Sequence, residues 1–184
     1  VFDASKLNHD QKCELRNELK SIHKEELTSA DEHRTYIELL KLFRTSLIVD
    51  ANLNGENYLE LLKNLLSVDV YSSHLRFLFE LIQNVDDCDY ADLGRVELDI
   101  KTDFNKGRII LTYNEVGFTP YNVFAITGIA EASKNISSAK VEIGEKGIGF
   151  KSAFGVADKV LIQSGKFSFE LHKNNFTIPE PYYD

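Results

Sequence analysis

Residue types that define several protein classes are scarce in this sequence of 184 residues. It has two cysteines, no methionine and no tryptophan. Cys13 and Cys88 lie far apart in sequence and fit no metal-ligand spacing, so we expect reduced thiols in an intracellular protein, cytoplasmic or nuclear, without a structural zinc site. Because the sequence starts at Val1 and lacks methionine, we expect it to be a fragment or a processed chain.

Basic clusters and long apolar runs are also missing. The formal net charge is −8 and no run of Lys and Arg stands out, which argues against direct nucleic-acid binding. No apolar stretch approaches the roughly 18 residues that a membrane helix needs, and the N-terminus lacks an apolar signal-peptide core, so we expect no membrane contact. A bound nucleotide stays compatible with this charge, since a few backbone amides and one metal ion can hold it.

The first part of the chain has a helical pattern. Apolar residues recur at helical spacing in segments 3–25, 30–49 and 58–66. We therefore expect residues 1–68 to form a helical N-terminal extension. Partner binding and homodimerisation are both open roles for it.

The rest of the chain mixes helices and strands. Alternating apolar and polar residues, with turn signals between them, predict paired strands. Strands are expected at 95–103, 108–113, 159–164 and 166–172, helices at 75–87, 121–127 and about 150–156, and a polar, mobile stretch at 131–142. The order predicts an α+β fold: a two-layer α/β sandwich with one mixed, mainly antiparallel sheet, helices on one of its faces, and the helical segment before it.

Three polar residues on the predicted helix 75–87 form the first chemical feature. At about 100° per residue, Glu80, Asn84 and Asp87 fall within one narrow arc. Apolar residues flank this arc: Phe77, Phe79 and Leu81. A carboxylate and an amide in such a setting indicate a pocket lining, although the polar face of an ordinary surface helix is the alternative.

A glycine-rich turn at 144–152, with the sequence GEKGIGFKS, forms the second feature. Glycines let backbone amides approach an anionic ligand closely, and a helix beginning after them directs free N–H groups at it. The turn is not a Walker A loop, because Phe150 separates Gly149 from the following lysine. A turn without a ligand is the alternative. The third feature, YNEVGF at 113–118, follows a predicted strand directly.

In order and spacing, the three features together resemble the GHKL superfamily of gyrase, heat-shock chaperone, histidine kinase and MutL ATPases, whose core is the Bergerat fold. Segment 79–87 resembles the N box, and segment 143–154 resembles the second glycine box of heat-shock chaperone ATPases. Segment 113–134 occupies the place of the first glycine box and the start of the lid. The combination is most similar to the sacsin and NO VEIN branch, and the resemblance covers roughly residues 70–172.

The resemblance implies an ATP site that uses Mg²⁺. It makes Glu80 the general base, Asn84 the Mg²⁺ ligand and Asp87 a residue on the purine side. Residues 69–184 would then form the nucleotide-binding domain, truncated at its C-terminal end. The further nucleotide contacts that it implies are Tyr113, Asn114, Gly117, Gly144, Lys146, Gly147, Ile148, Gly149, Phe150, Lys151 and Ser152.

The first glycine box departs from the family pattern D-x-G-x-G. Tyr113 stands in place of the aspartate that contacts adenine, and Glu115 stands in place of the first glycine. Asn114 is a candidate for reading the base instead.

The leading hypothesis is a slow Mg²⁺-dependent ATPase whose lid, at about 118–143, responds to nucleotide. It would act as a conformational switch on other domains of a larger chaperone-like or regulatory protein. The alternative is a degenerate module that binds nucleotide or protein without hydrolysis. A histidine kinase domain is a third and weaker hypothesis. His74 lies directly beside the N box, where a phospho-acceptor histidine on a separate dimerisation helix is not expected.

Overall fold

The structure is a computed structural model, and it describes residues 3–53, 76–90, 95–128 and 149–183. The predicted helix at 58–66, the polar stretch at 131–142 and most of the glycine-rich turn lie outside these residues.

Two helices form the N-terminal part. After a 3₁₀ turn at Ala4–Lys6, helix α1 spans His9–Ile22 and helix α2 spans Ala30–Leu53. A capping box starts α1: Asn8 Oδ1 accepts from the Gln11 amide at 2.9 Å, and Gln11 Oε1 accepts from the Asn8 amide at 3.0 Å. The predicted helices at 3–25 and 30–49 are confirmed, and α2 continues further than expected.

The middle of the chain contains a helix, a hairpin and a second helix. Helix α3 spans Arg76–Asp86, strands β1 and β2 span Leu98–Asp103 and Arg108–Tyr113, and helix α4 spans Pro120–Thr127. Each of these elements was predicted, with boundaries that differ by a few residues at most. Helix α4 begins sharply because Thr119 caps it and Pro120 occupies its first turn.

The C-terminal part forms a three-stranded meander. Residues 149–151 are helical and lead into a 3₁₀ turn at Ser152–Gly155. Strands β3 (Lys159–Ser164) and β4 (Phe167–His172) pair antiparallel, with Ser164 opposite Phe167 at the turn. Strand β5 (Glu180–Pro181) adds antiparallel to β4.

The α+β class is confirmed, but the sheet arrangement differs from the single mixed sheet that we expected. Among the residues that the structure describes, β1–β2 and β3–β4–β5 form two separate sheets, and all their pairs are antiparallel. Alternation along a strand specifies which face is buried. It does not specify which hairpin lies beside which, so this difference could not be read from the sequence.

One hydrophobic core joins the N-terminal helices to the C-terminal sheet. Helix α2 packs against α1, α4, β4 and β5. The buried core residues come from the N-terminal helices, from α4 and from the C-terminal part: Leu15, Leu19, Tyr36, Ile37, Leu40, Phe43, Val123, Phe124, Phe150, Phe154, Phe167, Phe169, Leu171 and Phe176. None of the described helices combines the length and the hydropathy required to cross a membrane.

Candidate functional site

Helix α3 carries the predicted polar arc. Glu80 and Asn84 are half-buried, while Asp87 directly follows the helix and is exposed. Of the flanking aromatics, Phe77 is half-buried but Phe79 is 68% exposed, so one side of the arc is more open than the sequence indicated. The helix packs against the turn at Ser152–Gly155, which places the arc beside the end of the glycine-rich segment.

Glu80 lies directly against Gly149. A Cβ atom built on Gly149 would lie 2.5 Å from Glu80 Oε2 and 3.4 Å from Glu80 Cδ. No side chain fits there while the carboxylate keeps its place, so this approach requires glycine. The structure therefore brings together, at Glu80 and Gly149, two motifs that are far apart in the sequence.

The residues after Gly149 turn into the protein. Phe150 is a core residue, and Ser152 is buried with its Oγ donating to Gly149 O at 2.6 Å. Lys151 is 3% exposed, and its Nζ donates to Gly128 O at the end of α4. Burial and the nearby charge of Arg44 lower the pKa of Lys151 to about 7. The described part of this segment can thus offer its backbone and Gly149 to a ligand, with these side chains otherwise engaged.

The first glycine box has its own anchors. Asn114 Oδ1 accepts from the Glu97 amide at 2.8 Å, and its Nδ2 donates to Arg95 O at 2.9 Å. The side-chain amide of Asn114 thus holds the segment that leads into β1, and one N–H of Nδ2 and one lone pair of Oδ1 are engaged in doing so. Tyr113 is half-buried, and burial together with Glu115 raises the pKa of its phenol. The phenol therefore stays neutral at physiological pH and can still donate or accept a hydrogen bond.

Ser164 is a site residue that the sequence did not single out. Its Oγ donates to Glu115 Oε1 at 2.8 Å and accepts from the Phe118 amide at 2.8 Å. Beside it, Gly117 has a φ of +97°, and a Cβ there would lie 3.2 Å from the Gly165 amide nitrogen. Glu115, which replaces a family glycine, therefore fastens this segment to the β3–β4 turn. Only the Ser164-Gly165 turn signal hinted at this place.

Two further observations concern where a ligand or a metal ion could bind. A shallow hollow of about 560 Å³ follows the β1–β2 hairpin between 95–99 and 112–114; Glu80 and Gly149 do not line it. Within the described ranges, no three His, Cys, Asp or Glu side chains are grouped so that they could hold a metal ion. Gly144, Lys146, Gly147 and Ile148 lie outside the described residues. The roles predicted for the site residues remain predictions.

Comparison of the sequence with known proteins finds partial matches to a plant protein and to chaperone proteins. The chain is 39% identical to Protein NO VEIN of Arabidopsis thaliana over 105 residues, which cover 57% of this chain and 4% of that protein. It is 33% identical to chaperone protein HtpG of Rickettsia bellii over 126 residues, covering 56% of this chain and 20% of the chaperone. Chaperone protein HtpG of Shewanella loihica matches at 32% identity with the same coverage.

These partial matches support an HSP90-like relationship within the GHKL superfamily. The chain spans at most a fifth of the length of these relatives. No protein-family model matches it, and no solved structure matches it significantly.

Proposed function

We propose that this chain is a nucleotide-binding module that holds Mg²⁺·ATP, hydrolyses it slowly and acts as a conformational switch in a larger chaperone-like or regulatory protein. The contact between the Glu80 carboxylate and the backbone of Gly149 carries the proposal. If phosphates bind beside the glycine-rich segment, a carboxylate next to Gly149 would be able to act as the base for an attacking water.

The donor set around this contact fits the ligand. Asn84 lies one helical turn after Glu80 on the same side of α3, and an amide oxygen is a ligand that Mg²⁺ accepts. The ion would neutralise phosphate charge, with phosphate oxygens and waters completing its shell. Glu80 would accept a proton from the attacking water, and the backbone of the glycine-rich segment would contact the phosphates.

Base selection is the weaker part of the site. Tyr113 supplies a neutral hydroxyl where the family places a carboxylate. A hydrogen bond to a charged group is worth about 1.5–3 kcal/mol, so its loss would lower affinity for adenine by one to two orders of magnitude. We propose that the affinity for ATP is lower by this factor than in a site that has the carboxylate, and that the site selects ATP over GTP only modestly.

Calorimetric titration with ATP, ADP and GTP in the presence of Mg²⁺ tests the proposal. Asn84→Ala should weaken Mg²⁺·ATP binding by at least about tenfold, whereas Gln83→Ala, an exposed neighbour on α3, should leave it unchanged. Glu80→Gln should keep the affinity and lower kcat by about 10²–10⁴-fold. Equal affinity in Asn84→Ala and Gln83→Ala would refute the assignment.

A second candidate function is supported by the first glycine box. Glu115 and Asn114 use their side chains to hold the protein's own backbone and Ser164, as expected where a pocket has become structural. A folded chain that binds no nucleotide at millimolar concentration would favour this degenerate module over the ATPase.

A further inference from the structure

Two buried basic side chains meet at the C-terminal end of helix α4. Arg44 is 4% exposed, and its Nη2 donates to Phe124 O at 2.9 Å. Lys151, 3% exposed, donates from Nζ to Gly128 O. One cation comes from the N-terminal helix α2, and the other comes from the segment that follows the glycine-rich turn.

The end of α4 is suited to receive them. The last carbonyls of a helix lack partners within the helix and carry partial negative charge, so cations stabilise them. Gly128 packs closely here, because a Cβ on it would lie 3.1 Å from Arg44 Nη2. Two like charges buried together repel each other, and the lowered pKa of Lys151 reflects both its burial and Arg44. Hydrogen bonds to Phe124 O and Gly128 O hold the two side chains in place there.

The same helix α2 also holds the other end of α4. Tyr36 is fully buried, and its hydroxyl donates to Pro120 O at 2.7 Å. Helix α4 is therefore fixed to α2 at its first and last turns, at Pro120 and at Phe124. Through its hydrogen bond to Gly128 O, Lys151 ties the glycine-rich segment to the end of α4. Lys151 lies two residues after Gly149, the glycine that contacts Glu80.

We infer that Lys151 is a positioning residue: with Arg44 it latches the end of α4 to the glycine-rich segment and so holds Gly149 against Glu80. This gives the N-terminal helix α2 a part in the nucleotide site. It also replaces the phosphate contact expected for Lys151 by an indirect role. The catalytic consequence rests on the proposed function, whereas the latch itself does not.

The test compares Lys151→Met and Arg44→Met, which remove charge and keep volume, with Lys173→Met and Arg34→Met as exposed controls. Both latch variants should lower kcat for Mg²⁺·ATP by about tenfold or more while Kd changes less than about threefold, since geometry is disturbed and contacts are kept. The double variant should lose little beyond either single variant, because the two cations act as one unit.

Two readouts are independent of nucleotide. Amide hydrogen exchange at Gly149 and Phe150 should accelerate in Lys151→Met and in Arg44→Met, but not in the controls. NMR titration of the Lys151 ε-carbon should show its pKa rising in Arg44→Met, because the repelling charge is gone. Should Arg44→Met fail to fold, Arg44→Lys serves in its place: it keeps the charge, loses the guanidinium contact to Phe124 O and should speed exchange at Gly149 by a smaller factor.

The outcomes separate the two ideas. A tenfold rise in Kd for both ATP and ADP in Lys151→Met, with Arg44→Met unaffected and amide exchange unchanged, would show a direct phosphate contact and overturn the latch. If the parent chain binds no nucleotide, the proposed function fails. The latch is then decided by hydrogen exchange and by the Lys151 titration: no change in either would overturn it, and the expected changes would support it.

Discussion

At the scale of single residues, the contact between Glu80 and Gly149 is central. Gly149 does not adopt a left-handed conformation, unlike Gly107, Gly117 and Gly165. Its backbone is therefore open to alanine, and only the Glu80 carboxylate stands in the way. The glycine is needed for the space beside it, which a substitution can probe without straining the chain.

Gly149→Ala should displace the Glu80 carboxylate while the protein stays folded. The added Cβ would lie 2.5 Å from Oε2, which is the far end of a flexible side chain and can rotate away. Because a misplacement of about 1 Å can cost about 10²-fold in rate, kcat should fall by about ten- to a hundredfold with a small change in Kd. Steady-state ATPase assays and titration calorimetry measure both.

A double-mutant cycle supplies the control for this substitution. In a Glu80→Ala background the steric conflict is absent, so Gly149→Ala should become neutral or stabilising in urea denaturation, as Gly→Ala in a helical turn usually is. An unchanged kcat in Gly149→Ala, or an equal stability loss in both backgrounds, would contradict the contact.

At the scale of elements, the segment between β2 and α4 depends on the approach of two glycine-containing turns. Gly117 has a φ of +97° and lies against the backbone of Gly165. Ser164 adds hydrogen bonds to Glu115 and to the Phe118 amide. The first glycine box is therefore held in place by the β3–β4 turn.

Gly117→Ala should destabilise the protein by more than Gly107→Ala. Both glycines have positive φ, so each substitution carries backbone strain of about 1–3 kcal/mol. At Gly107 an added Cβ meets nothing within 4 Å, whereas at Gly117 it meets backbone at 3.2 Å. Urea denaturation of the two variants isolates the close approach. An equal loss of stability in the two variants would mean that the close approach of Gly117 to Gly165 does not contribute to stability.

The helices and strands were largely predictable from the sequence, but the contacts between them were not. Thr119 and Pro120 predict the start of α4, because they are typical residues of a helix N-terminus. The alternation in 108–113 and 159–164 predicts strands β2 and β3. The sequence singled out Glu80 and Gly149 in two separate motifs, but it did not predict the contact between them. The bond between Glu115 and Ser164 was not predicted, because Ser164-Gly165 signals only a turn and a serine at the end of a strand fits many turns equally well.

At the scale of the whole molecule, the N-terminal helices share one core with the sheet. The sequence predicted a helical extension at 1–68 followed by a domain at 69–184. A helical pattern does not indicate which part of the chain packs against the apolar faces of the helices. In the structure Leu19, Tyr36, Ile37 and Leu40 are fully buried in the core that also contains Phe167, Phe169 and Leu171. Helix α2 further pairs Lys41 Nζ with Glu180 Oε2 on β5, at 2.5 Å.

A chain of residues 69–184 alone should therefore fail to unfold cooperatively. Each fully buried large apolar side chain contributes about 1.5–3 kcal/mol, so losing the partners of β4 removes stabilisation comparable to the about 5–15 kcal/mol of a whole domain. Circular dichroism during heating and urea denaturation measures this. Adding residues 1–53 as a separate peptide should restore a cooperative transition, whereas an equivalent peptide with Tyr36→Ala and Leu40→Ala should not. A cooperative transition of 69–184 at the midpoint of the full chain would show instead that the helical extension is separable, and that α2 covers the sheet without being needed for its fold.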